Sequence, residues 1–148
     1  MELNKELVKK GMYLSGIANI GGALIFSKFF TNTVLNEADP VVMSNFGLLM
    51  IVVWGLVFLA MAAQWEQLKW LIAAFAIEKF IYGFVWIKWL LNNDLSAVYE
   101  ADKMAGIFYT IYGANDWLFF LFYSVVFIHL SKVQHIARNN FWSAIKFL

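Results

Sequence analysis

The sequence predicts an all-α integral membrane protein, a four-transmembrane-helix bundle with both termini on the cytoplasmic side. Three observations predict it. Hydrophobic residues make up 62% of the 148 positions and charged residues only 14%, against roughly a quarter charged in an ordinary soluble domain. Four separate stretches supply the run of about 20 apolar residues that a helix needs to cross a bilayer. Basic residues collect on one side of those stretches, as the positive-inside rule requires.

The spans are expected at about 11–30, 40–63 (or from Ser44), 69–91 and 106–131, within one domain covering 1–148. Asp39-Pro40 reads as a helix start, because a carboxylate caps free amides and proline has no amide to lose at the first helical position. Asn92-Asn93-Asp94 closes the third span with residues that favour turns. The polar stretch from Ser96 to Met104 is either a surface helix or an outward extension of the fourth span. The first span follows a basic start, but its apolar stretch exceeds a signal-peptide core and no small-residue cleavage site follows, so it reads as retained. In the tail, 132–148, Val133, Ile136, Ala137, Phe141 and Ala144 recur at helical spacing between basic residues. That pattern fits an amphipathic helix on the inner leaflet or a frayed basic tail.

Orientation follows from charge. Lys5, Lys9, Lys10, Lys69, Lys132, Arg138 and Lys146 lie on the side of the termini. Lys103 lies on the other side, with Lys28 and Lys88 able to snorkel there from the span ends. That side also carries Glu37, Asp39, Asp94, Glu100 and Asp102. The arrangement is N-in, C-in.

Composition also excludes several function classes. A formal net charge of +1 does not build a nucleic-acid-binding surface, and the absence of cysteine removes disulfides, thiolate metal sites and cysteine nucleophiles. No phosphate-binding glycine loop, His-Glu-x-x-His zinc motif or serine-nucleophile elbow occurs. His129 and His135 sit near the inner end of the fourth span and in the tail, without acidic neighbours in sequence, and read as surface residues. No metal or cofactor is expected. An aromatic content of 19% needs only lipid-facing surface and interfacial anchors to account for it.

Inside the spans, Gly11, Ser15, Asn19, Ala23 and Ser27 recur every four residues in the first, a small and polar stripe that lets helices approach closely. Gly106, Thr110, Gly113 and Ala114 suggest a second such contact in the fourth. No internal repeat marks an inverted-repeat transporter.

Three ionisable residues fall deep in the membrane, where each costs about 3 kcal/mol on insertion scales. At a rise of about 1.5 Å per residue, Lys79 lies roughly 15 Å from the inner boundary and Asp116 roughly 15 Å from the outer one, both near the midplane of a core about 30 Å thick. Consecutive antiparallel spans would pair them. Glu78 points about 100° away from Lys79, on a stripe with Ala74 and Tyr82, and Asn19 lies at a depth to hydrogen-bond it. With Lys79 neutralising one carboxylate, the second acid must be protonated or reach water. Asn115 flanks Asp116, and Tyr109, Tyr112 and Tyr123 lie near its face. The candidate ligand- or proton-binding set is therefore Glu78, Lys79, Asp116, Asn115, Asn19, Tyr82 and Tyr112, with no catalytic or metal-binding residue assigned. A buried ion pair that merely fixes helix register is the plain alternative.

The stretch Phe30-Thr31-Asn32, then Asp39-Pro40, Asn45-Phe46-Gly47-Leu48-Leu49 and Trp54-Gly55-Leu56 resembles small four-helix bacterial inner-membrane proteins of the broad DoxX-like group. The resemblance implies a bacterial cytoplasmic-membrane setting and attaches no mechanism to any motif. A general likeness to sterol-isomerase-like four-helix proteins, which keep acids inside the bundle to bind lipophilic amines, comes with no matching signature. Small multidrug-resistance exporters fit less well, since their glutamate lies in the first span, where this chain has Asn19.

The leading expectation is a small bundle with a polar, acidic pocket that binds or moves a small lipophilic or cationic molecule, with proton linkage through Glu78. The alternatives are a non-catalytic accessory subunit of a larger membrane complex, pairing with a membrane-protein partner or with itself, and a membrane enzyme acting on a lipid or quinone.

Overall fold

The computed structural model describes residues 3–145, with side chains described through His135. Among the described residues every regular element is helical: α1 (Lys5–Phe26), α2 (Thr33–Ala38), α3 (Asn45–Met61), a 3-10 turn (Trp65–Gln67), α4 (Lys69–Asn92), α5 (Leu95–Ala101) and α6 (Lys103–Ile145). Two of them, α4 and the Lys103–His135 part of α6, are long and apolar enough to cross a membrane. Helix α3 is apolar but has only 17 residues. In α1, charge at the start and the polar stripe dilute an otherwise apolar sequence.

Helix α4 packs along α6 and α1 along α3, while α1 also touches α6 and α5 lies on α6. Two antiparallel pairs thus meet side by side. Glycine sets the closeness of the α1–α3 pair. A Cβ at Gly16 would come within 2.8 Å of the Gly55 carbonyl oxygen, and one at Gly55 within 2.9 Å of the Gly16 oxygen. In the other pair glycines receive indole rings. A Cβ at Gly113 would strike the Trp86 ring at 2.0 Å, and one at Gly83 would meet Trp117 at 3.0 Å. Each of those indoles also donates to a backbone carbonyl on the facing helix, Trp86 to Tyr109 at 2.7 Å and Trp117 to Gly83 at 3.2 Å. The small stripe expected in the fourth span does not form one interface: Gly106 backs onto Tyr99 of α5, Gly113 onto α4, and Ala114 is exposed.

Several element ends differ from the sequence expectation. Helix α1 stops at Phe26 rather than near Phe30, because Lys28, Phe29 and Phe30 take left-handed backbone angles of 50°, 55° and 68°. Each such non-glycine residue costs about 1–2 kcal/mol. Compensating bonds hold the turn: Ser27 Oγ accepts from the Phe30 amide, Asn32 donates to the Phe26 carbonyl, and Asn45 donates to the Phe30 carbonyl. Asp39-Pro40 does not open the second long helix. Asp39 Oδ1 accepts from the Val42 amide to close a turn, and α3 begins after Ser44, whose hydroxyl caps the Gly47 amide. The stretch from Ser96 to Met104 divides into α5 and the start of α6, with Asp102 between them. Helix α6 runs on through the tail to Ile145 without a break at Lys132. The side chains of Ile136, Ala137, Phe141 and Ala144 lie outside the described residues.

The two ends of the bundle are fastened differently. At the end holding the N-terminus, Lys5 pairs with Glu66 at 2.6 Å. At the other end Asp102 accepts from Lys28, Asn32 and the Ala105 amide, joining the left-handed turn to the α5–α6 junction. The Lys28 ammonium, with help from that amide, lowers the Asp102 carboxyl from an ordinary 3.8 to about 2.

Between these ends the core divides in two. One cluster gathers Met12, Phe58, Phe75, Phe119 and Tyr123, the other Leu35, Leu48, Trp89, Phe108 and Tyr109. Along α1, α4 and α6 the buried polar residues Ser15, Asn19, Glu78, Lys79 and Asp116 fall between the two clusters.

Two outcomes follow from these contacts. Gly55→Ala should destabilise the protein by about 1–3 kcal/mol by forcing α1 off α3. Gly21→Ala, where a Cβ meets nothing within 4 Å, should be neutral or slightly stabilising in the same thermal-unfolding assay. The stability contributed by Asp102 is complete above its ordinary value of 3.8 and is lost as the pH falls toward about 2. Asp102→Asn should therefore flatten the change in unfolding midpoint across that interval.

Candidate functional site

The Lys79 ammonium is the centre of the polar layer. It donates to Asp116 Oδ1 at 2.7 Å and to Asn19 Oδ1 at 2.7 Å, with 1% of its surface exposed. The Phe58 ring centroid lies 5.2 Å away and offers a cation–π contact. Asn19 in turn donates to the Ile51 carbonyl of α3 at 3.3 Å. One cation therefore ties α4 to α6 and to α1, and through Asn19 to α3. Asn19 serves Lys79 rather than Glu78, because its amide oxygen can only accept and the nearest strong donor is the ammonium.

Glu78 is left over. It is 6% exposed, its Oε2 lies 3.6 Å from the Lys79 nitrogen, and neither carboxylate oxygen has a hydrogen-bond partner among the described residues. A buried charged group without hydrogen bonds carries a desolvation cost that a single distant ion pair offsets only in part. The Tyr112 hydroxyl is likewise buried without a partner among the described residues.

Both groups line a cavity of ≈ 260 Å³. Its wall combines Asn19, Glu78, Lys79, Tyr82, Tyr112, Asn115 and Asp116, the whole candidate set read from the sequence, with apolar residues. Sequence reasoning missed that apolar part: Ala18, Gly22, Ala23, Phe26, Ile51, Phe108 and Ile111. A signal for some of it existed, since Phe108, Tyr112 and Asp116 recur every four residues on one face of α6. Tyr109 and Tyr123, placed near Asp116 by spacing, do not line the cavity. Tyr109 donates to the Leu35 carbonyl at 2.9 Å and stacks on Trp89, and Tyr123 packs between Phe58 and Phe75.

The cavity is polar at one end and apolar at the other. Phe26 and Phe108 meet with ring centroids 5.9 Å apart and Phe108 stacks on Tyr112 at 4.9 Å. Phe108 lies eight residues before Asp116, which places the aromatic end about 12 Å along the helix from the charges. Ile111 is exposed and Ala18, Gly22, Ile51, Tyr82 and Asn115 are half-buried, so the cavity reaches the side of the bundle. Among the described residues no three His, Cys, Asp or Glu side chains gather as a metal site.

Removing the ammonium alone should be costly. Lys79→Met leaves Asp116 and Asn19 buried without their partner and should lose about 3–5 kcal/mol. Adding Asp116→Leu should restore part of that loss, a non-additivity that a double-mutant cycle of unfolding midpoints would register. Comparison with protein-family models, curated proteins and solved structures finds no match to this chain.

Proposed function

We propose that this chain is a four-span membrane bundle whose lateral cavity binds, or carries across the membrane, a small lipophilic or cationic molecule. In this reading α1, α3, α4 and α6 cross the membrane with both termini inside, in a bacterial cytoplasmic membrane as the DoxX-like resemblance implies. The distribution of apolar surface supports it. All four helices leave large apolar side chains exposed: Leu14, Ile17 and Ile25 on α1, Leu49 and Leu56 on α3, Ile77 and Phe84 on α4, Leu118 and Leu121 on α6. The charged residues Glu78, Lys79 and Asp116 are turned inward instead. A soluble helical protein has the opposite arrangement, and apolar faces this extensive need lipid or a partner to cover them. Seventeen residues, the length of α3, is at the short limit for a span.

The observation that carries the binding function is Glu78, buried and lining the cavity without a hydrogen bond. A group in that state is expensive to keep unless something that enters the cavity meets it. The partly exposed wall, with Ile111 at the surface, gives a lipophilic molecule a route from the bilayer.

The test is native mass spectrometry of the gently extracted protein, beside two variants. Glu78→Gln should fold and lose a retained small molecule. Gly22→Leu should also lose it, because Gly22 lines the cavity and a Cβ there meets nothing within 4 Å, so the added side chain starts in open space. Equal retention by wild type and a well-folded Gly22→Leu protein would contradict the proposal. Stoichiometric protein partners with no small molecule would favour an accessory subunit.

A further inference from the structure

Resting on that reading, we infer that the cavity takes an amphiphilic monovalent ammonium ion, an arylalkyl amine in its protonated form, with its cation on Glu78 and its ring toward Phe26 and Phe108. Charge is the first reason. The polar layer holds one ammonium and two carboxylates, and Lys79 spends its two short bonds on Asp116 and Asn19. A bound ammonium favours the ionised form of Glu78, and in that form one negative charge remains on the carboxylate without hydrogen bonds. A neutral hydrogen-bond donor would leave that charge standing, and an anion would double it. A single cation cancels it.

Donor count is the second reason. A protonated primary amine offers N–H groups and no acceptor, while the two Glu78 oxygens accept, and the Tyr112 hydroxyl oxygen is free to accept as well. Tyr112 stands four residues, about 6 Å, beyond Asp116 in the direction of Phe108. The ammonium sits at the Glu78 end, with that hydroxyl alongside the start of the ligand's chain.

Shape and polarity are the third. From the charges, the lining turns apolar over about 12 Å and ends at the Phe26–Phe108 ring pair. A cavity of about 150 Å³ holds one benzene, so ≈ 260 Å³ holds a ligand of roughly ten non-hydrogen atoms. An aromatic ring on a short chain ending in an amine has that volume and that gradient. The other titratable groups near Glu78 are Lys79 and Tyr82 on α4 and Asp116, Tyr112 and Tyr123 on α6. The nearby lining from α1 and α3 contributes Asn19 and Ile51, neither of them titratable.

The probe is phenethylammonium. Labelled amine should bind saturably to the full chain in lipid nanodiscs at neutral pH. Phenethyl alcohol, the same shape without the charge, should compete at least tenfold more weakly than unlabelled amine. Glu78→Gln should weaken amine binding at least tenfold, and Gly22→Leu should abolish it. Competition by the alcohol as strong as by the amine would overturn the cation assignment while leaving a pocket for neutral lipophiles. That comparison needs only wild-type protein, so it stands even where Glu78→Gln does not fold. Absence of saturable amine binding to the wild type would also overturn the assignment. The retention test with Gly22→Leu then decides separately whether the pocket binds any molecule.

Discussion

A lysine ammonium sealed from solvent between four helices is the constraint on which this structure depends. Removed from water, Lys79 must recover its hydration from the protein, and it does so with one carboxylate on α6 and one amide on α1. Those two bonds fix the height at which α4, α6 and α1 meet, and the Asn19 bond to Ile51 extends the same register to α3. Apolar packing alone would tolerate sliding, since one leucine surface matches another at many offsets. A short ionic bond does not. The two hydrophobic clusters lie on either side of this layer, which orders the packing of each.

The same constraint leaves a space. The polar layer cannot be filled by aliphatic side chains without burying charges against hydrocarbon, and Lys79, bonded to Asp116 at 2.7 Å, stands 3.6 Å from Glu78, too far for its remaining N–H to bond the second acid. A cavity remains beside the unsatisfied carboxylate. Glycine and tryptophan keep the neighbouring helices rigid around it: Gly16 and Gly55 bring α1 and α3 into backbone contact, while the Trp86 and Trp117 indoles bind α4 to α6. The left-handed turn at Lys28–Phe30 and its links to Asp102 close the end beyond the Phe26–Phe108 rings. Strain is held there by several bonds at once, away from the charges.

The helical class was legible because period and composition report it directly, and α4 lies almost where its apolar run places it. The pairing of Lys79 with Asp116 followed from depth, since residues at equal height on antiparallel neighbours can meet. Helix ends were less legible. Lys28, Phe29 and Phe30 carry no turn signal, and their conformation is imposed by Ser27, Asn32 and Asn45 bonding across the chain. Asp39-Pro40 has the composition of a helix start but is used in a turn. The role of Asn19 needed three dimensions as well, because depth alone places it near Glu78 and Lys79 equally. The apolar end of the cavity combines Phe26 and Phe108, residues 82 positions apart that no local pattern connects.

The most direct measurement is a solid-state NMR dephasing experiment in lipid bilayers between lysine ¹⁵Nζ and aspartate ¹³Cγ, with Asp116→Asn to assign the signal. A buried Lys79–Asp116 bond predicts a charged ammonium resonance with strong, short-range dephasing, as a nitrogen–oxygen separation of 2.7 Å requires, and loss of that coupling in the variant. A neutral amine resonance, or dephasing no greater than that of the surface lysines, would mean that Lys79 and Asp116 do not meet inside the bundle, and the account built on their bond would fall.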